Sequence, residues 1–100
     1  MDYEIKDTGS VRTLTLRGRL TFQGNERFRE IVDGLNGQPH RALGVDVSQL
    51  DFIDSAGLGL LLLLNEAAGG MVTLHRPQGQ VKRLLAASRF NTLMAIADWE

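Results

Sequence analysis

The stretch from Ala56 to Leu64 constrains this chain more than any other. It carries no charge, and wound as a helix it is apolar all the way round. Leu58, Leu61 and Leu62 share a face with Asn65, while Leu60, Leu63, Leu64 and Ala67 lie largely opposite. A membrane span needs about 20 such residues, and Glu66 and the Gly69-Gly70 pair end this run well short of that. A helix of this kind, expected over about Ala56 to Ala68, must be covered on several sides by its own protein or by a partner.

The chain that does the covering has 100 residues, enough for one domain spanning 1–100. Its 43% of hydrophobic and 23% of charged residues set it apart from disordered sequences. The absence of cysteine excludes disulfides and thiolate metal sites. His40 and His75 have no metal-binding spacing, so neither metal nor cofactor is expected. Eleven basic and twelve acidic residues leave a net charge of -1, without the basic surplus of a nucleic-acid binder. The start, Met1-Asp2-Tyr3-Glu4-Ile5-Lys6, alternates and is charged, unlike a secretion signal. The expectation is a cytoplasmic protein with no nucleic-acid partner and no direct membrane insertion.

Periodicity supplies the other elements. Tyr3 to Lys6 and Val11 to Arg17 alternate apolar and polar, and Thr8-Gly9-Ser10 between them predicts an antiparallel hairpin. From Asn25 to Leu35 the period changes: Phe28, Ile31, Val32 and Leu35 mark one helical face, ended by Asn36-Gly37-Gln38-Pro39. Ala42 to Val47 is a short apolar strand expected to be buried on both faces, followed by a loop from Ser48 to Ser55. Met71 to His75 predicts a strand, Pro77 to Ser88 a helix, and Leu93 to Ala97 a weak strand. Strand-helix-strand units favour parallel pairing. The predicted fold is α/β: a mixed four- to five-stranded sheet with an N-terminal β-hairpin and helices mainly on one face.

Ser55 stands where loop becomes helix. Its simplest role is an N-cap, accepting a hydrogen bond from an N–H one turn on. A hydrolase nucleophile would need glycine two residues earlier, where Ile53 stands, and neither histidine is placed beside it by sequence. Asp46, Asp51 and Asp54 could in principle hold magnesium, but read more simply as a strand-end carboxylate and loop or capping acids. No Gly-rich phosphate loop is present, so the chain is not expected to be an enzyme. Arg76, Lys82, Arg83 and Arg89, with His75, form a basic cluster that reads first as a solvated helix face and second as a contact for an acidic partner.

Asp54-Ser55-Ala56-Gly57-Leu58-Gly59, preceded by Asp46-Val47-Ser48 and Phe52-Ile53, resembles the signature of the STAS domain, a family named for sulfate transporters and anti-sigma factor antagonists. Leu16-Arg17-Gly18-Arg19-Leu20, Gly69-Gly70-Met71-Val72-Thr73-Leu74 and Val81-Lys82-Arg83-Leu84-Leu85 extend the resemblance over nearly the whole chain. It implies the stand-alone anti-sigma factor antagonist type. In that type the serine matching Ser55 is phosphorylated. The unmodified form binds an anti-sigma factor that is often also the serine/threonine kinase, phosphorylation ends the binding, and a phosphatase restores it. The alternative that the resemblance allows is a small cytoplasmic STAS subunit scaffolding a lipid or anion transport complex.

Three departures stand out: Ala56 replaces a frequent Ser or Thr, Thr21-Phe22 replaces a common acidic residue, and no fourth helix is expected before Glu100. The partner is expected to dock on Asp51, Phe52, Asp54, Ser55, Ala56, Gly57, Leu58, Gly59 and Leu60. Leu60 should face outward, while Leu63, at an intermediate angle, should touch a flanking helix.

Overall fold

The computed structural model describes residues 1–7, 9, 11–36 and 41–98. Strand β1 (Asp2–Asp7) and β2 (Arg12–Leu20) lead through a 3-10 turn (Phe22–Gly24) into helix α1 (Asn25–Leu35). Then come β3 (Leu43–Ile53), α2 (Ser55–Ala67), β4 (Val72–His75), α3 (Gly79–Ala87), a second 3-10 turn (Phe90–Thr92) and β5 (Ala95–Ala97). The predicted hairpin turn residues Thr8 and Ser10, the loop residues Gly37 to His40, and Trp99 lie outside the described residues.

The sheet runs in the order β1-β2-β3-β4-β5. β1 pairs antiparallel with β2, and all later pairs are parallel. Each parallel crossover therefore adds its strand on the same side of the last. Crossovers of one hand then place all their helices on one face. The burial pattern agrees. Leu14 and Leu16 of β2, Val45 and Val47 of β3, and Val72 and Leu74 of β4 are buried in one core with Phe28 and Ile31 of α1 and Val81 and Leu85 of α3. Thr13, Thr15, Gly44, Asp46, Thr73 and His75 stay half-exposed on the other face.

Two expectations about β3 are overturned. It does not end at Val47 but continues to Ile53, because its ladder with β2 persists to the pair Leu20 and Ile53, with register shifts that absorb the turn-like Ser48 to Asp51. Nor is it buried on both faces, since Leu43, Val45 and Val47 are buried while Gly44, Asp46 and Ser48 alternate with them. On β1, Ile5 is exposed, as befits an edge strand, and Tyr3 packs on the core.

Helix α2 lies on the sheet with α1 packed alongside it, which covers part of its apolar circumference and leaves Leu62 exposed. Gly57, Leu60, Leu61 and Leu64 are its buried residues. Among the described residues no helix is long and apolar enough to cross a membrane.

Candidate functional site

The turn from β3 into α2 is built from its backbone outward. Ile53, fully buried, is the last strand residue. Its N–H donates to Gln80 Oε1 at 2.9 Å and its carbonyl accepts from Gln80 Nε2 at 2.8 Å. On the other side the Asp54 N–H donates to the Leu20 carbonyl at 3.4 Å. Asp54 has extended backbone and is the N-cap of α2, its carboxylate accepting from the Gly57 N–H at 2.8 Å. The Leu58 N–H donates to the Asp54 carbonyl at 3.0 Å and closes the first turn.

Ser55 is thus the first residue of the helix and not its cap, a correction to the simplest reading of the sequence. Aspartate has taken the capping task. The Ser55 side chain is exposed, and among the described residues its hydroxyl makes no hydrogen bond. It stands at the positive end of the helix dipole, where an anionic group is favoured.

Two glycines follow. A Cβ on Gly57 would overlap the backbone oxygen of Leu20 and lie 2.6 Å from Ile53 Cγ1. Only glycine lets the first turn of α2 sit on the end of β2. At Gly59 a Cβ would meet nothing within 4 Å. Of the residues expected to meet a partner, Asp51, Ser55 and Gly59 are exposed, and Phe52, Asp54, Ala56 and Leu58 are partly so. Gly57 is buried, and Leu60 is only 4% exposed. The expectation for Leu60 fails because α1 covers that flank. Leu60 and Leu63 border a groove of about 270 Å³ with Phe22, Asn25 and Arg29, and Leu63 is the more accessible of the pair.

The large exposed side chain near the turn is Phe22, 73% accessible. It stands between that groove and a second of about 400 Å³, lined by Arg19, Thr21, Gln23, Phe52 and Asp54. The Arg19 guanidinium lies over the Phe52 ring, 4.4 Å from its centroid. The sequence carried a signal for Phe22, namely an aromatic beside Thr21 where the resembling family commonly has an acid. It carried none for Gln80.

The three aspartates do not converge. Asp46 lies on the uncovered face of the sheet, where it accepts from the Ser48 N–H and from Arg76, both at 2.9 Å. Partial burial works against its charge, but the Ser48 hydroxyl, the Ser48 N–H and Arg76 together outweigh it and hold the carboxyl below the ordinary aspartate value. Asp54 is the cap and Asp51 is solvated. Among the described residues no three acidic, His or Cys side chains gather as a metal site would require. Of the basic cluster, Arg76 is committed to Asp46 and His75 faces Asp98 at 3.8 Å, while Arg83 and Arg89 are exposed.

A family model described as "Mlab, STAS domain" matches residues 4–95. The chain belongs to the STAS domain family. This STAS domain is 33% identical over 92 residues to a STAS-domain-containing protein of Pseudomonas aeruginosa, covering 89% of this chain and 90% of that one. Its fold is that of an anti-sigma factor antagonist from Mycobacterium paratuberculosis, with a TM-score of 0.85 at 15% identity, covering 97% of this chain and 85% of the other. It also matches the Bacillus anti-sigma factor antagonist SpoIIAA. The unphosphorylated form gives a TM-score of 0.76 at 18% identity, covering 96% and 88% of the two chains. The phosphorylated form gives 0.69 at 21%, covering 96% and 91%. The five-stranded mixed sheet with three helices is therefore the STAS fold, as the sequence led us to expect.

Proposed function

We propose that this STAS domain is a phospho-switch protein of the anti-sigma factor antagonist kind. With Ser55 unmodified it binds an anti-sigma factor that is also the serine kinase; phosphorylation of Ser55 releases that partner, and a phosphatase resets the switch. The domain acts in the cytoplasm, by binding and not by catalysis. The observation that carries the reading is the division of labour at the turn: Asp54 caps the helix and leaves the Ser55 hydroxyl exposed and, among the described residues, without a hydrogen bond. The structural likeness to anti-sigma factor antagonists, one of them solved in both phosphorylation states, supports it.

The chemistry follows from position. A phosphate adds about -1.5 to -2 charges at neutral pH. On the first residue of α2 that charge meets the helix dipole and free N–H groups, so the fold tolerates it. For a docked partner the same charge, beside Asp51 and Asp54, brings repulsion and desolvation. A loss of about 3–4 kcal/mol weakens binding several hundred-fold. The docking surface comprises Asp51, Phe52, Asp54, Ser55, Ala56, Leu58 and Gly59, with Phe22 added and with Gly57 and Leu60 supporting it from beneath.

Incubation with a candidate anti-sigma kinase and ATP, followed by mass mapping, tests the reading. One phosphate on Ser55 is expected, and Ser55→Ala should keep binding while resisting modification. Phosphate mapped mainly to Ser48 or Ser88 would sink it; the Ser88 hydroxyl already donates to the Leu84 carbonyl at 2.7 Å. A second role, scaffolding a transporter, would use the same surface without modification, and the accessible Phe22 suits a permanent contact equally well. Co-purification with a membrane complex, and no phosphate on Ser55, would favour it.

A further inference from the structure

We propose that Gln80 is a positioning residue for the Ser55 turn, holding it from the α3 side. This role rests on the reading of Ser55 as the acceptor. β3 has 11 residues and β4 only 4, and the two pair no further than Asp46 with His75. Beyond Asp46, β3 keeps β2 on one side, as far as the pair Leu20 and Ile53, while β4 no longer flanks the other. At Ile53 the Gln80 carboxamide supplies both hydrogen bonds that a neighbouring parallel strand would make. It accepts at 2.9 Å and donates at 2.8 Å across 27 residues of sequence. A carboxamide suits this because it is donor and acceptor at once, whereas a carboxylate only accepts.

The start of α3 is shaped to aim this side chain. Gly79, in the left-handed region at φ 52°, turns the chain into the helix one residue before Gln80. Gln78 reaches back to the Arg76 carbonyl at 3.2 Å.

The two anchors of the turn differ in kind. On the β2 side, the Asp54 N–H meets the Leu20 carbonyl and Gly57 packs on the same oxygen, so the anchor is backbone against backbone. On the α3 side, among the described residues, the hydrogen-bonded anchor is one side chain. Ile53 is joined to Asp54, Asp54 caps the helix through Gly57, and Ser55 lies between them. Releasing Gln80 therefore frees the residue from which the cap, and with it the Ser55 hydroxyl, takes its position.

The test compares Gln80→Ala, the volume-conserving Gln80→Met and, as a control on the same helix, Arg83→Ala, whose side chain is exposed, by amide hydrogen exchange followed by NMR. Both Gln80 variants should lose protection at the Ile53 and Gly57 amides by roughly tenfold or more, the size of one or two net hydrogen bonds. Amides of the β1–β2 ladder should be unchanged, as should those of Ile53 and Gly57 in Arg83→Ala. Should Gln80→Ala fail to fold, Gln80→Met still decides the matter. Unchanged protection at Ile53 and Gly57, or an equal rise at every amide, overturns the proposal. With the kinase that modifies Ser55, the Gln80 variants should show a lower kcat at unchanged KM; wild-type kinetics on an opened turn would also overturn it. If wild-type Ser55 takes no phosphate while the local exchange behaves as expected, the acceptor reading falls and the positioning of the turn by Gln80 stands.

Discussion

The inner and outer sides of the first two turns of α2 use similar small and apolar residues to opposite ends. Inside, Gly57 leaves no room for a methyl group against Leu20 and Ile53, and Leu60, at the floor of the groove beside α1, is only 4% exposed. Outside, Gly59 faces open space, Leu62 is 38% exposed, and Phe22 stands nearly free. The inner side sets where the helix lies, and the outer side is what another protein can touch. A motif containing both therefore mixes packing demands with recognition demands, and residue type alone does not separate them.

Truncation on the inner side should have the largest effect. Leu60→Ala should cost about 2–5 kcal/mol in denaturant unfolding; a loss well under 1 kcal/mol would place Leu60 on the outer side after all. Gly57→Ala comes next, at about 1–3 kcal/mol or somewhat more, because the obstacle is a backbone oxygen that no rotamer change can move. At the boundary of the two sides, Asp54→Ala should lose about 0.5–2 kcal/mol with the cap. Restoration of that loss by Asp54→Ser or Asp54→Asn would confirm capping as the cause.

On the outer side the sign reverses. Gly59→Ala should gain up to about 1 kcal/mol from helix propensity, read as a higher Tm. A loss there would mean that the space beside it is occupied. Phe22→Ala should move stability by no more than about 0.5 kcal/mol. It should nonetheless weaken partner binding at least tenfold, or about 1.4 kcal/mol, as the loss of an aromatic anchor does. Unchanged affinity in calorimetry would remove Phe22 from the docking surface.

Much of the fold was legible because local pattern and tertiary packing agree. α1 follows the spacing of Phe28, Ile31, Val32 and Leu35, and runs over the predicted Asn25–Leu35. β3 was legible only as far as Val47. Ser48-Gln49-Leu50-Asp51 has turn composition, and what keeps it extended is the distant β2 strand. Leu60 was misplaced for a related reason. A helical wheel gives angles around an axis, but not which flank the neighbouring helix will occupy. The Ser55 turn was found from its motif, yet its capping residue was displaced by one, since Ser and Asp are both good caps and only the observed hydrogen bond chooses between them. Gln80 left no local trace, because its bonds join residues 27 apart and its neighbours Gln78 and Gly79 read as an ordinary polar helix start.

The unbroken strand order carries one more consequence. In doubly wound α/β proteins, crossovers diverge to opposite faces at a topological switch point and open a crevice beyond the strand ends, where small ligands bind. From β2 to β5 this sheet never reverses direction, so it has no such point. The carboxyl ends of β2 and β3 bear instead a projecting turn flanked by open grooves beside Phe22. On the proposed reading of Ser55 as a phosphate acceptor, the cleft that closes around it would be the kinase's, and this end of the domain would be presented as a substrate.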